Sequence, residues 1–478
     1  MTKPNVVILG AGVAGLGAAF HLAKRGFAQI NVLEQSNNIG GNAGSFELAG
    51  ISVDYGSHRL HPTCDPVILQ DIKKLLKDDL LDRPRHGRIR LCGRWIHFPL
   101  KPIDLLFRLQ PAFSFNVIKD IFCKILPGEK NSVICEDFCS VLKRGLGNTI
   151  CRDFYFPYAF KMWGLTAEKL SATQAKRRIS AGSMMKMFRK ILSAVPGIRP
   201  HMGGRFFYPR KGFGQISEFL FNACNELGVK FHLNVQLKTI HIFQNGSNKT
   251  AEIYFEKEGT ESKIYVDHIW STIPIPVLVN YLRPGLPEMI LEAANNLEYR
   301  SMILIYLVLK QNRFSEYDAH YFPEIEIPFT RLSEPKNYSN SYLDLGKTVL
   351  CAELPCFTSD PEWNMTDEQL GKLVLKGLGK SGIPIMAPVE QIITKRLPYA
   401  YPIYKAGFEK FFDPVENWLD QIDGLLTFGR QGLFAHDNTH HALFMGYSAA
   451  DCLEENGRFD YGKWQNFKHI FDTHVVED

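Results

Sequence analysis

Three glycines and one acid near the N-terminus have the spacing of a turn that binds phosphate and ribose. Gly10, Gly12 and Gly15 fall within six residues, and Glu34 follows nineteen residues after Gly15. Gly10 permits a tight turn, Gly12 lets backbone approach a pyrophosphate, and Gly15 allows a helix to pack closely on a strand. A helix start offers N–H donors and a positive dipole end to phosphates. Glu34 can accept both hydroxyls of a ribose, and its charge would repel a 2′-phosphate. Such a turn works only between a strand and a helix. Asn5 to Leu9 is an apolar run fit for a buried parallel strand. Leu16 to Lys24 predicts a helix with small residues facing that strand, ending near Gly26, and Ile30 to Leu33 a second strand closing on Glu34. Strand, glycine turn, helix, strand and acid form a dinucleotide fingerprint.

A second glycine doublet, Gly40-Gly41, follows the acid, and Asn42 stands next to it. It suits a loop that lets a larger dinucleotide pass close to backbone. Ile51 to Tyr55 then leads into Gly56-Ser57-His58-Arg59-Leu60-His61. From Leu33 to His61 the chain resembles the extended FAD signature of the flavoprotein superfamily of amine oxidases, protoporphyrinogen oxidases and UDP-galactopyranose mutases. Amine oxidases usually carry Arg after the doublet, and Asn42 resembles the mutases. The resemblance extends, in order, over residues 5–62, 153–172, 205–243, 267–272, 299–333 and 425–453. It implies tightly bound, non-covalent FAD. The implied cofactor residues are Gly10, Gly12, Gly15, Glu34, Gly41, Asn42, Gly56, Ser57, His58, Val235, Gly429, Arg430 and Leu443.

Four further segments carry side chains with chemistry. Phe154 to Ala172 contains Lys161, Trp163 and Gly164 and resembles the substrate-pocket stretch of the mutases. Trp163 would offer a flat face to a ring, although helical spacing alone reads it as a packing residue. Pro328 to Arg331 resembles a mutase segment whose Arg pairs with substrate diphosphate, because a guanidinium fork matches phosphate bidentately. Tyr401 and Tyr404 resemble the mutase phosphate-binding tyrosines, and a β-turn with half-buried tyrosines accounts for them equally well. Leu425 to Gly446, with Gly429-Arg430, resembles the closing motif of the superfamily, a helix whose N-terminus points at the flavin pyrimidine. Mutases carry tyrosines just after that Gly-Arg; here Phe434, His436 and Asp437 stand there. His58 implies a donor to flavin N5 or a proton shuttle. Catalytic roles are therefore expected for His58, Arg331 and Trp163, and substrate contacts for Trp163, Arg331, Tyr401, Tyr404 and His436. His436, His440 and His441 match no known ligand spacing, so no metal is expected. Leu304 stands where amine oxidases of the monoamine type place a Lys.

The elements that must hold these residues come from the whole chain. Residues 63–200 read as mostly helical: Pro66 to Leu80 is amphipathic, Trp95 to Pro102 is a strand or extended turn, and Asp153 to Lys190 has helical spacing. A helix over Gln215 to Leu227 precedes a meander over 229–235, 237–243, 251–256 and 263–265, and 267–272 returns as a parallel strand. Strands follow over 302–309 and 349–354, a helix over 367–378, a strand over 425–429 and a helix over 441–453. The fold class is α/β: a discontinuous, Rossmann-like (GR2-type) FAD-binding domain over 1–62, 205–280 and 420–457. A mixed α+β substrate or cap domain fills 63–204 and 281–419, and 458–478 is a tail.

With 478 residues, 45% apolar and 22% charged, the chain can bury a large core without staples. A net charge of +5 is too small to argue for nucleic acid. No run of 18 apolar residues suggests a membrane span. Ten cysteines form no C-x-x-C pair and no zinc spacing. Cys135 and Cys139 share a helical spacing as two half-buried thiols. A reducing, cytoplasmic setting is expected. Leu105, Leu106, Phe107, Phe113, Phe115, Ile118, Ile121 and Phe122, with the basic segment Met184 to Leu192, either pack within the cap or make weak peripheral membrane contact. Two functions follow from the resemblance. In one, hydride passes from a small, anionic substrate to flavin N5. In the other, reduced N5 attacks an anomeric carbon and isomerises a nucleotide sugar.

Overall fold

The structure, a computed structural model, describes residues 3–98, 104–125, 136–177, 204–243, 251–339 and 345–476. Five parallel strands build one sheet, the parallel sheet, in the order Leu425–Thr427, His268–Ser271, Asn5–Leu9, Gln29–Leu33, Lys230–His232. Asn5–Leu9 is buried on both faces. Val6 and Ile8 enter one core with Leu16, Ala18 and Leu443, and Val7 and Leu9 enter another with Ile240 and Ile253. That two-sided burial explains its unbroken apolar run. The helix Val13–Arg25 packs on the helix Thr439–Cys452 through small residues. A Cβ on Gly446 would lie 2.4 Å from the Ala14 carbonyl oxygen.

The meander is Val235–Ile242, Ala251–Lys257 and Thr260–Val266, antiparallel, with Leu282–Arg283 parallel on its edge. Lys230–His232 was expected in it but joins the parallel sheet. The Glu34 amide donates to the His232 carbonyl at 2.9 Å and ties the two strand ends together.

A larger sheet carries the cap. Its order is Val389–Pro402, Tyr299–Leu309, Thr348–Cys356, Arg331–Ser333, Ala319–Tyr321, Gly87–Leu91, Arg94–Phe98. All its pairs are antiparallel except Ala319–Tyr321 with Gly87–Leu91. Among the described residues 63–200 is mostly helical, as expected, and Arg94–Phe98 falls in the strand or extended turn expected at Trp95 to Pro102. Leu80–Pro84 and Gly87–Leu91 are strands that were not expected; in the second, alternation of Ile89 and Leu91 with Arg88 and Arg90 buries one face. Cap helices include Pro66–Leu76, Pro111–Ile125, Phe138–Leu146 and Phe156–Trp163. Between the last two, Cys151–Tyr155 winds as a wider π-type turn just before Pro157.

The expected C-terminal tail is largely a helix, Tyr461–Asp472, whose Trp464 and Phe471 are buried in the same core as Val6, Ile8 and Leu16. Beyond it the chain reaches the cap, where the Val476 amide donates to the Arg177 carbonyl at 2.7 Å. In the apolar cap segment, Phe113 and Val117 are buried, whereas Phe107 and Phe115 are 79% and 67% exposed. The segment Met184 to Leu192, Cys135, and the side chains at 105, 106, 121 and 122 lie outside the described residues. Cys64, Cys92, Cys139, Cys151, Cys224, Cys351, Cys356 and Cys452 are free thiols. Among the described residues no helix is long and apolar enough to cross a membrane.

Candidate active site

One cavity of about 1070 Å³ runs between the parallel sheet and the cap sheet. At its parallel-sheet end the glycines have the geometry their spacing required. Gly10 has φ 101°, and a Cβ there would meet Thr272 Oγ1 at 2.5 Å. A Cβ on Gly15 would lie 2.1 Å from the Gly10 carbonyl oxygen. A Cβ on Gly12 would project into open space, and Gly12 lines the cavity. Gly12 is also the N-cap of the helix Val13–Arg25 and gives it no side-chain cap, so its first N–H groups stay available to an anion. The second glycine turn leans on the first: the Gly40 amide donates to the Ala11 carbonyl at 2.8 Å. Gly40 and Gly41 have φ 92° and 55°, which only glycine adopts without strain.

Glu34 accepts from the Ala11 amide at 2.8 Å and the Ser36 amide at 2.9 Å, which aims its carboxylate along the cavity wall. Val235, Glu256 and Glu258 complete that end. An uncapped helix start, a cradle shaped by glycines and a fixed carboxylate are the donor set a dinucleotide requires, and these residues fit FAD.

The cap sheet forms the opposite wall. Cross-strand register places Lys395, Leu304, Glu353, Arg331 and Tyr321 in one row on the cavity side. Arg331 lines the cavity, but its fork is closed on Glu353, with Nε and one terminal nitrogen 2.9 and 2.7 Å from the two carboxylate oxygens. Glu353 also accepts from the Ser57 amide at 2.8 Å. A guanidinium expected to meet substrate is thus largely neutralised by its own sheet. Leu304 is buried beside Tyr55, while Lys395, its cross-strand neighbour, lines the cavity.

His58 lines the cavity from the loop after Tyr55. Its Nε2 donates to the Tyr55 carbonyl at 2.9 Å, and its ring stacks on Phe213 at 5.4 Å. Burial lowers its pKa to about 4, so the ring is neutral near pH 7. Nε2 is therefore spent on the loop, and Nδ1 is left as an acceptor.

Aromatic groups close the cap end. Tyr401 stacks on His436 at 5.1 Å, and the Arg430 guanidinium sits 4.6 Å over the Tyr401 ring. Tyr158 and Met162, from Phe156–Trp163, line the wall. Trp163 does not line it: the ring is buried, edge-on to His436 at 6.0 Å and to Phe138 at 5.8 Å. Tyr404 is likewise buried behind the wall, where its hydroxyl accepts from the His436 amide at 3.2 Å. Both expected substrate residues thus support His436 from behind. Leu443 is corrected in the same way, since it interdigitates with Gly17, and Thr439 and Ala442 of that helix face the cavity instead. Gly15, Gly56 and Gly429 shape the backbone behind the lining, while Asn42, Ser57 and Arg430 lie in it.

Asp437, His441 and His474 bring donor atoms within 4.8 Å of one another. Arg177 already bonds Asp437 at 3.3 Å, and His441 Nδ1 accepts from the Asn438 amide at 3.3 Å. That cationic, hydrogen-bonded setting opposes a metal ion. Sequence reasoning missed Lys395, Glu256 and Glu258, each a single charged residue in an ordinary strand or turn that only the tertiary fold brings to the cavity. Within the expected pocket stretch Phe154 to Ala172 it chose Trp163, whereas Tyr158 and Met162 line the wall.

A family model described as flavin containing amine oxidoreductase matches residues 13–446. A 1-hydroxycarotenoid 3,4-desaturase of Flavobacterium sp. (strain P99-3) is 22% identical over 278 residues, covering 54% of this chain and 55% of that protein. Polyamine oxidase 1 of Zea mays is 36% identical over 55 residues, 12% of this chain and 11% of that protein. The chain therefore spans about half, or much less, of the length of these curated relatives. Among solved structures, a reduced UDP-galactopyranose mutase superposes with a TM-score of 0.81 at 20% identity, covering 100% of this chain and 99% of that one. Wild-type putrescine oxidase bound to putrescine superposes with a TM-score of 0.64 at 15% identity, covering 94% and 98%. At these identities the likenesses show the fold.

Proposed function

The chain belongs to the family of flavin-containing amine oxidoreductases, with FAD as its cofactor, and from that premise we propose that it oxidises a small anionic molecule at carbon. When bound, FAD supplies the two-electron acceptor for a hydride. The observation that carries the proposal is the continuity of one cavity from Glu34 to Tyr158 and Met162. Cofactor and substrate would share one chamber.

The residues of this chain divide the work. Glu34 holds ribose hydroxyls and the start of Val13–Arg25 holds the pyrophosphate. Ser57, fixed through Glu353, and His58, fixed through the Tyr55 carbonyl, hold the loop that meets both walls. Tyr158, Met162 and Tyr401 exclude water and set the pose of the reacting carbon. The two ends of the cavity carry opposite charge. Glu34, Glu256 and Glu258 line the nucleotide end, whereas Arg59, Arg85, Arg331, Arg430 and Lys395 line the cap end against Glu353 and Asp437. That polarity supports an anionic substrate over a polyamine.

The alternative, isomerisation of a nucleotide sugar, needs an open arginine fork for a diphosphate, and Arg331 is closed on Glu353. The test is direct. Purified protein should be yellow and release FAD on heating. The oxidised holoenzyme should be bleached anaerobically by members of a panel of small carboxylic and phosphorylated alcohols and amines. Holoenzyme, oxidised or pre-reduced, should leave UDP-galactopyranose unchanged. Formation of the furanose isomer by reduced enzyme would replace this reading with the mutase one. The proposal includes weak peripheral membrane contact through exposed Phe107 and Phe115. Flotation with anionic liposomes checks it, and protein that stays in the pellet fraction removes it.

A further inference from the structure

We propose that Lys395 is the specificity-determining cation of this cavity and receives the anionic group of the bound substrate. The inference rests on the anionic-substrate reading above and names the residue that enforces it.

The cations of the cavity wall differ in what they already hold. Arg331 grips Glu353 with two hydrogen bonds. Arg59 faces Asp318 at 3.6 Å and donates to the Tyr338 hydroxyl at 3.2 Å. Arg396 donates to the Trp363 and Met365 carbonyls at 2.7 and 2.6 Å. Lys395 holds no oxygen of this kind. Its ammonium lies 3.7 Å over the Tyr55 ring and 5.6 Å from the Phe46 ring. Among the described residues no carboxylate lies within ion-pair distance of it.

A ring face orients an ammonium but fills none of its three N–H donors. Those donors must be satisfied from the cavity, by water or by a ligand. A bound acid would satisfy them with charge-assisted hydrogen bonds, and a neutral isostere would not. The nearest acid in the row, Glu353, is two strands away with Leu304 between. Glu353 is spent on Arg331 and the Ser57 amide and makes no ion pair with Lys395. The row therefore offers a neutralised pair at Arg331 and an unneutralised charge at Lys395. Tyr55, beneath the ammonium, precedes the Gly56 to His58 loop, and Asn42 bonds the Tyr399 carbonyl at 3.1 Å on the strand that carries Lys395. An acid on Lys395 would be anchored where the second glycine turn meets the cap sheet.

The experiment uses FAD-loaded protein and two probes of one shape, benzoate and benzamide, titrated by perturbation of the flavin absorbance. Wild-type protein should prefer benzoate. Lys395→Met should lose about tenfold or more of the benzoate affinity with benzamide unchanged, and Lys395→Arg should restore part of it. Flavin content and midpoint potential should stay at wild-type values. Equal losses for both probes, or an undiminished preference in Lys395→Met, overturn the proposal. A shifted midpoint potential with the preference intact assigns Lys395 to the cofactor and also overturns it. A wild-type protein without any preference overturns the anionic-substrate reading itself.

Discussion

Arg331 and Glu353 show how one contact changes the meaning of a residue. By its resemblance to the mutase segment, the arginine after Pro328-Phe329-Thr330 was expected to meet phosphate; in the fold it is half of a buried ion pair whose side chains are 13% and 4% exposed. Removing one half leaves the other charge buried, at a cost of about 3–5 kcal/mol. Arg331→Ala should therefore lower stability by that order and loosen FAD, because Glu353 also holds the Ser57 amide. The double variant Arg331→Met with Glu353→Leu should recover most of the loss. Urea unfolding with FAD content read in parallel checks both, and a freely additive double variant would falsify the pairing argument. The glycines and Glu34 were legible in sequence because backbone geometry admits few alternatives at a phosphate turn. Lys395 was not, since a lysine in ITKRLPYAYP reads as a solvated strand face until the register turns it inward.

Elements were legible where one physical rule dominated them. Val6 to Leu9 is apolar throughout because both faces of its strand are buried, and the helix expected over 367–378 is observed as Asp367–Lys380, started by a Thr366 and Gln369 capping box. Val389–Pro402 escaped notice because one of its faces borders a polar cavity, so charged residues interrupt the alternation. Leu443 was misplaced for a related reason: a helix that points at a cofactor has another face that must pack, and Leu443 lies on that face against Gly17. The contact between Val13–Arg25 and Thr439–Cys452 carries its own prediction. A Cβ on Gly446 would sit 2.4 Å from the Ala14 carbonyl oxygen and 2.8 Å from the Ala18 amide nitrogen, both backbone atoms that cannot turn aside. Gly446→Ala must part the helices, at about 1–3 kcal/mol. The same shift moves the helix start that faces the cavity. FAD occupancy should then fall more steeply than stability alone requires, which equilibrium dialysis against FAD at a denaturant-free baseline measures.

At the scale of the molecule, several histidines on different elements are buried in neutral form. Burial is the largest cause in each case, and it lowers His320 and His440 to about 3 and His441 to about 4. His320 sits in the cap sheet and His440 in the helix Thr439–Cys452, 1% and 4% exposed. A folded-state pKa below the unfolded value means that the unfolded chain binds the proton first. The stability contribution is therefore complete above the unfolded value of about 6.5 and is lost as pH falls toward the folded value. At pH 5 each fully buried imidazole forfeits about 2 kcal/mol. Two of them, one in the cap sheet and one in the helix Thr439–Cys452, remove a large part of a typical total of about 5–15 kcal/mol. The apoprotein should lose stability as pH falls from about 6.5 toward 3, with net proton uptake on unfolding. His320→Phe separates this from general acid expansion. Its ring still fills a site ringed by Trp95, Phe314 and Tyr317, but it cannot take a proton. Relative to wild type, the variant should gain about 2 kcal/mol on going from pH 7.5 to pH 5. Urea midpoints at the two pH values measure that difference directly, and parallel pH curves for the two proteins would show that His320 takes no part in the acid transition.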